Sequence, residues 1–513
     1  MHPRSRSTAT ESTGNAALLA WRALWLWLIA AAAFVTQGYH PLAEDGGLYV
    51  AGIQLRLHPE LFPHDRVFVA AHLHYSVFSL LLADIVRHTH MPLLPLLLTC
   101  YALTLWLLVV AAYHLARGCG FAEFPALMAA AFTAACATLP IAGTSLLFMD
   151  PYLTGRSFSV PLSVLGISFA LRCAGHRNRS VNASAALLCL LAAALFHPLM
   201  TGYALALVAV LAALKSTHRG LWLGLLCAAA LGLCVAVQLH ATPESADYRA
   251  AVFSRYYWFL SQWQWFEIIG VLAPFVMLGW LRRTQTNPGL RLLLDATLVS
   301  AALSLLIAIV FARESMQVHA VARLQPLRLF TFAYAVMICC GTAAIAAWAM
   351  QTRKKRSGLL CALAVCFGIF FWVQCMTFPY SRHIEWPGAS PQNRWAQAFL
   401  WIRHNTPADA VVALDARYVN APDEDARNFR ATAERSEIPD YSKDGGEAAI
   451  TPQLAASWAA GAHAQHALDS AGDAARDARL RPFGATWMVL RSASPTTHAC
   501  PYDNGTVKVC RLS

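Results

Sequence analysis

Apolar runs of about 20 residues recur along the first 378 positions of this 513-residue chain. Each is long enough to cross roughly 30 Å of hydrocarbon. Lipid offers no partner to a backbone N–H or C=O, so such runs must fold as helices. Eleven spans are predicted, at 17–38, 92–115, 124–142, 157–173, 181–196, 199–214, 220–240, 265–281, 292–312, 327–350 and 357–377. The composition agrees, with 57% apolar and only 13% charged residues, where soluble domains carry roughly 25% charged. That excludes an ordinary soluble enzyme, and the apolar content excludes a disordered chain. The predicted fold class is an all-α polytopic membrane bundle of about 11 transmembrane helices with a small α/β exported C-terminal domain.

Charge gives the orientation. The net charge is +11, from 39 Lys and Arg against 28 Asp and Glu. One set of loops holds sixteen basic residues, among them Arg4, Arg6, Arg117, Arg172, Arg177, Lys215, Arg282 and the 353–356 cluster, and only Glu11 and Glu123 as acids. The alternate loops are close to balanced. Basic loops stay in the cytoplasm. The excess therefore reads as membrane topology, and no nucleic-acid partner is expected. Three regions follow: a cytoplasmic tail at 1–16, a transmembrane domain at 17–378 with a large outer loop at 39–91, and an exported domain at 379–513. The expected location is a bacterial inner membrane, with the N-terminus inside and the C-terminal domain in the periplasm.

Residues 48–90 are read as amphipathic helices on the outer surface, because His72, His74 and Asp84 are costly within hydrocarbon. Beyond residue 378 the composition changes, and Pro379, Pro387 and Pro391 mark a linker. Strands are predicted at 410–414, 487–490 and 506–511, a short helix at 395–404, and further helices at 424–436 and 451–480. Twelve of the 14 Cys lie in spans or cytoplasmic loops without metal-like spacing and read as packing thiols. Cys500 and Cys510 flank Asn504-Gly505, a hairpin signal, and a disulfide between them suits an oxidising compartment.

Ionisable groups beside a membrane need a reason. The outer loops collect Glu44 and Asp45, Asp150 and Arg156, His197, and the group Arg313, Glu314, Arg323, Gln325 and Arg328. Such a set suits chemistry on a lipid-anchored phosphate: a carboxylate as general base or cation ligand, arginines as a phosphate clamp, a histidine as proton carrier. Each has a plainer reading. Glu44-Asp45 is also a helix start, Asp150 a turn residue paired with Arg156, and His197 a partner for backbone freed by Pro198. Arg323 and Arg328 can snorkel to the interface. Tyr256-Tyr257-Trp258, with Trp263 and Trp265, reads as an interfacial belt, and otherwise as a sugar or lipid platform. In the tail, Arg430, Glu434, Arg435, Lys443 and Asp444 read as a solvated face, and otherwise as a set folded back over the cavity.

These segments resemble the GT-C superfamily of polytopic glycosyltransferases. The likeness rests on adjacent acids directly after span one, an acid in the second outer loop, many further spans, and the junction WAQAFLWIRHNTPADAVV into an exported domain. More closely, EDGGLYVAGIQLRLHPELFPHD, DPYLTGRSFSVPL, FHPLM, ARLQPLRLF and FRATAERSEIPDYSKDGG resemble a bacterial membrane-protein group defined by a domain of unknown function. The superfamily resemblance implies transfer of a sugar from a polyprenyl-phosphate donor to an acceptor at the periplasmic face. It makes Asp45, Glu44 and Asp150 the catalytic or metal-contacting acids, and it brings a divalent cation, Mg or Mn, as a cofactor to test. Substrate would be held by Arg156, His197, Arg323, Gln325 and Arg328. The second loop lacks an Asp-x-Asp or Asp-Glu pair, which departs from the family pattern. Two other functions compete: a lipid or polar-solute transporter, and a non-catalytic envelope protein. The missing internal repeat counts against a transporter.

Overall fold

The computed structural model describes residues 7–173 and 178–512. Arg4, Arg6 and Arg177 of the basic set, and the first six residues of the expected cytoplasmic tail, lie outside them. Each predicted span contains a helix: Ser7–Gln37, Leu93–Gly118, Glu123–Ala135, Gly155–Arg172, Arg179–Phe196, Pro198–Lys215, Arg219–His240, Trp265–Thr284, Pro288–Phe311, Phe330–Ala349 and Arg353–Thr377. Among the described residues, nine helices are long and apolar enough to cross a membrane. The bent pair Arg66–His74 and Phe78–Thr89, which turns by 102°, makes ten if it counts as one span.

The prediction of eleven therefore needs two corrections. Gly155–Arg172 is helical but too polar to pass as a span by itself. It carries four serines and buries most of its length between neighbouring helices. Glu123–Ala135 has 13 residues, about 20 Å of helix, and falls short of the predicted 124–142. Beyond it the backbone is irregular, and Gln37 supplies the missing partners. Its Nε2 donates to the Ala134 carbonyl (2.9 Å), and its Oε1 accepts from the Thr138 N–H (3.2 Å). Irregular backbone at membrane depth survives only where protein satisfies it in this way.

Phe330–Ala349 and Gly155–Arg172 run through the centre of the bundle. At the rim, Arg219–His240 buries only Cys234, and Arg353–Thr377 only Leu359 and Gln374. Leu233, Leu239, Val365 and Trp372 are exposed there. Apolar surface on this scale belongs against lipid.

The C-terminal region folds around a five-stranded mixed sheet of order β2-β1-β3-β5-β4. The strands are β1 (Val411–Ala413), β2 (Ser436–Glu437), β3 (Trp487–Arg491), β4 (Tyr502–Asp503) and β5 (Val507–Arg511). Alternation sorts the side chains onto two faces. Val412, Val489, Val507 and Val509 pack under the helix Arg394–Asn405 through Trp395, Phe399 and Ile402. Val411, Ala413, Met488 and Leu490 pack with Leu468 and Leu480 on the other face. Cys500 and Cys510 are disulfide-bonded, and Gly505 takes the left-handed conformation (φ +84°) in the β4–β5 turn. The helices predicted at 424–436 and 451–480 are broken into Phe429–Ala433, Ala455–Ala464 and Asp473–Leu480. The two-residue β2 separates the first of these from the helix Lys443–Ile450.

The sheet domain docks onto the first outer loop through the backbone. The Glu44 N–H donates to the Ala426 carbonyl (2.7 Å), and the Asn428 N–H to the Leu42 carbonyl (3.0 Å). Gln54 adds a bond to the Ala431 carbonyl at 3.0 Å.

Candidate active site

A cavity of about 1130 Å³ opens between the end of the bundle and the docked domain. The helix Glu44–Leu57 sets its floor. Two carboxylates occupy its first turn, where the partial positive charge of a helix N-terminus favours them. The glycines that follow permit close packing. A Cβ on Gly46 would lie 2.8 Å from the Cβ of Tyr152, and one on Gly47 would lie 2.2 Å from the Cβ of Asn428. The EDGG sequence thus presses the acids against the second loop on one side and the tail domain on the other.

Asp45 and Asp150 share one guanidinium. Arg156 Nη2 lies 2.8 Å from Asp150 Oδ2 and 3.5 Å from Asp45 Oδ2. Lys443 closes the other side of Asp45, with Nζ 3.2 Å from Oδ1, and also pairs with Glu44. Asp150 is sealed, whereas the Asp45 side chain is 43% exposed to the cavity. Burial works to raise the Asp45 carboxyl, but Lys443 and Arg156 prevail and hold it well below the usual carboxylate range. Burial raises Asp150 despite Arg156. Neighbouring carboxyls displaced in opposite directions are a recurrent arrangement for acid–base work. Glu447, also in the cavity wall, is pushed up to about 8 by burial, with Asp444 and Asp45 adding to the shift.

His197 caps the helix Pro198–Lys215, its Nδ1 accepting from the Met200 N–H at 3.3 Å. That bond leaves Nε2 to carry the proton of the neutral ring. Arg323 reaches the Ile450 carbonyl at 3.5 Å. Gln325 sits at φ +52° with a buried Oε1 that has no partner among the described residues. The Arg328 side chain, likewise, has no hydrogen-bond partner among them, and its Nε is buried. All eight of Glu44, Asp45, Asp150, Arg156, His197, Arg323, Gln325 and Arg328 line this one cavity.

Backbone strain gathers here too. Among the described residues eleven non-glycine positions have positive φ, and Glu44, Ser145, Gln325, Asp425 and Ala426 of these line the cavity. Each costs on the order of 1–3 kcal/mol and persists only where surrounding packing enforces it.

Three expectations are corrected. Arg313 and Glu314 stay out of the cavity: Glu314 accepts from Gln262, and Arg313 contacts the Met316 sulfur. Tyr256, Tyr257 and Trp258 line the cavity, Trp258 and Trp263 are buried, and only Tyr256 and Trp265 keep the exposure a belt needs. The tail charges are no solvated face, since Arg430, Arg435 and Asp444 are buried and Lys443 enters the cavity. Sequence reasoning also missed Glu447, Arg255 and Tyr49 in the walls. Gly445-Gly446 was a usable signal, since a Cβ on Gly445 would meet Trp458 Nε1 at 2.9 Å and Arg255 Nη2 at 3.0 Å.

The resemblance brings a divalent cation, and the cavity acids are poorly placed to hold one. Lys443 already pairs with Glu44 and Asp45, and Arg156 with Asp45 and Asp150, so these acids carry little unmatched charge for a metal to neutralise. Among the described residues no group of three metal-ligating side chains gathers in the cavity.

The architecture has a solved counterpart. The chain superposes on the archaeal oligosaccharyltransferase AglB from Archaeoglobus fulgidus, in complex with an inhibitory peptide and a dolichol-phosphate, with a TM-score of 0.52 at 13% identity over 92% of this chain and 69% of that one. It shares that protein's fold. Crystal structures of the oligosaccharyltransferase of the same organism, tethered with an acceptor peptide and in the apo form, give TM-scores of 0.49 and 0.42, each at 12% identity over 91% of this chain and 69% of theirs. No family model matches the sequence, and no curated protein matches it. The likeness to the bacterial group therefore rests on its sequence segments alone. The chain is a multi-pass membrane protein that shares the fold of that oligosaccharyltransferase.

Proposed function

We propose that this protein is a membrane glycosyltransferase that moves a sugar from a polyprenyl-phosphate-linked donor to an acceptor in the cavity, on the periplasmic side. The observation that carries the reading is convergence. Eight polar residues from four separate loops meet in one cavity at the edge of a membrane bundle, in a fold shared with an oligosaccharyltransferase solved with a dolichol-phosphate. The apolar flank of the bundle gives a polyprenyl chain its solvent, and the cavity mouth receives the phosphate.

Asp45 is the general base. It is ionised and open to the cavity, and it takes the proton from the acceptor as the acceptor heteroatom bonds to the anomeric carbon. The bond from that carbon to the phosphate oxygen breaks, and polyprenyl phosphate leaves with the electron pair. Arg328, whose buried Nε has no hydrogen-bond partner among the described residues, and Arg323 neutralise the phosphate. His197 Nε2–H donates to a phosphate oxygen. Arg156 and Lys443 hold Asp45 in place and ionised.

The test is sugar transfer from a radiolabelled polyprenyl-phosphate donor in membranes containing the protein. Asp45→Asn should lower product formation by about 10²–10⁴-fold, the usual worth of a positioned base, with the melting temperature nearly unchanged. Full activity in this variant would reject Asp45 as the base.

A further inference from the structure

Beside the cavity lies a closed acidic pocket that the transfer reaction does not use. Arg430 is its one guanidinium. It pairs with Asp65 through Nε, holds Asp444 through Nη1 and Nη2 at 2.8 Å each, and lies 3.1 Å from Glu437 Oε1. Asp440 completes the group, its carboxylate accepting from the backbone of Ser442 (2.6 Å), Lys443 (2.7 Å) and Asp444 (3.4 Å). All five residues are buried, Glu437 with 2% exposure and Asp444 with 1%.

Four carboxylates stand against one guanidinium, which with every acid ionised is an excess of three negative charges out of water. Buried charge on that scale must be paired or neutralised. The pocket also has spare ligand atoms. Glu437 Oε2 and Asp65 Oδ1 are buried with no partner among the described residues, and Glu437 Oε1 meets Arg430 without forming a hydrogen bond. One oxygen from each of Glu437, Asp440 and Asp444 lies within 4.8 Å of the others. Two oxygens that each sit about 2.4 Å from a calcium ion are at most about 4.8 Å apart.

We propose that Glu437, Asp440 and Asp444, with Asp65 alongside, bind a hard divalent cation of calcium's size. The pocket ties three pieces together. Asp65 comes from the outer loop, Glu437 from β2, and Asp440 and Asp444 from the entry to the helix Lys443–Ile450. A cation there fixes the start of the helix that delivers Lys443 and Glu447 to the cavity wall. Its role is structural, and the inference does not rest on the proposed transfer reaction.

The competing account is a proton. Burial raises the Glu437 carboxyl well above its ordinary value, and a neutral Glu437 would relieve part of the excess. The full chain in detergent, stripped with EGTA and returned to CaCl2 or MgCl2, separates the two. Expected are about one calcium per chain by elemental analysis, a rise in melting temperature of about 2 °C or more with calcium, and a smaller rise with magnesium. Glu437→Gln should lose both the bound calcium and the shift. A wild-type chain that retains no calcium and does not respond to it would overturn the proposal in favour of the proton, whether or not the variant folds. Unaltered calcium binding by a folded Glu437→Gln protein would overturn it too, by placing the ion elsewhere. Neither readout depends on transfer activity.

Discussion

Lys443 and Asp444 are neighbours on one helix and face two different acidic sites. Lys443 reaches Glu44 and Asp45, whose side chains are 42% and 43% exposed to a cavity. Asp444 joins Arg430, Asp65, Glu437 and Asp440 in a pocket closed to water. In the open site cations and acids are nearly matched, and the carboxylates remain accessible. In the closed site acids outnumber the cation, and everything accessible has been sealed. Open, matched charge leaves acids accessible to a ligand; closed, unmatched charge must be neutralised within the fold.

That contrast breaks most visibly with paired substitutions. Arg430→Met should destabilise the protein by about 3–5 kcal/mol, because it strands buried carboxylates. Lys443→Met should cost only about 1 kcal/mol, since water reaches the acids it leaves, yet transfer should fall sharply. Equal losses of stability in denaturant titrations of the two variants would erase the distinction. Next in size is Arg328→Gln. Removing a charge-assisted contact worth about 1.5–3 kcal/mol should raise the KM for donor by about 10-fold or more, with stability unaltered. An unchanged KM would take Arg328 out of the proposed phosphate site.

The smallest effect lies between the two sites. Glu447 is pushed up to about 8 from an ordinary value near 4.5, chiefly by burial, with Asp444 and Asp45 adding to it and Arg430 opposing; His72 lies 3.8 Å away. The folded protein therefore keeps a proton that the unfolded chain has released. Its contribution to stability is full below about pH 4.5 and is lost as pH rises towards 8. Melting temperature should fall over that window, and Glu447→Gln should flatten the fall. An identical slope in the variant would assign the titration to another group.

Much of the membrane part was legible because its physics is one-dimensional. Apolar length set the helices, and the alternation of basic loops put residues 44–45, 150–156, 197 and 323–328 at the same end, where they meet in one cavity. Two spans failed for local reasons, the serines within Gly155–Arg172 and the Gln37 cap that ends Glu123–Ala135 early. The other half of the site was not legible. Lys443 meets Asp45 across 398 positions, through a docking edge at Leu42–Glu44 and Ala426–Asn428 too short to show in any pattern. Arg430 and Asp444 read as surface because charged residues are usually exposed. Only the tertiary structure shows that they are buried against each other.

The most direct measurement is photo-crosslinking of full-length protein in membranes with a polyprenyl-phosphate analogue carrying a photoreactive headgroup, followed by peptide mapping. The account predicts label on the segments containing Asp45, Asp150–Arg156 and Arg323–Arg328, competed away by unlabelled polyprenyl phosphate. Label confined to other surfaces, or label that competitor leaves in place, would contradict it.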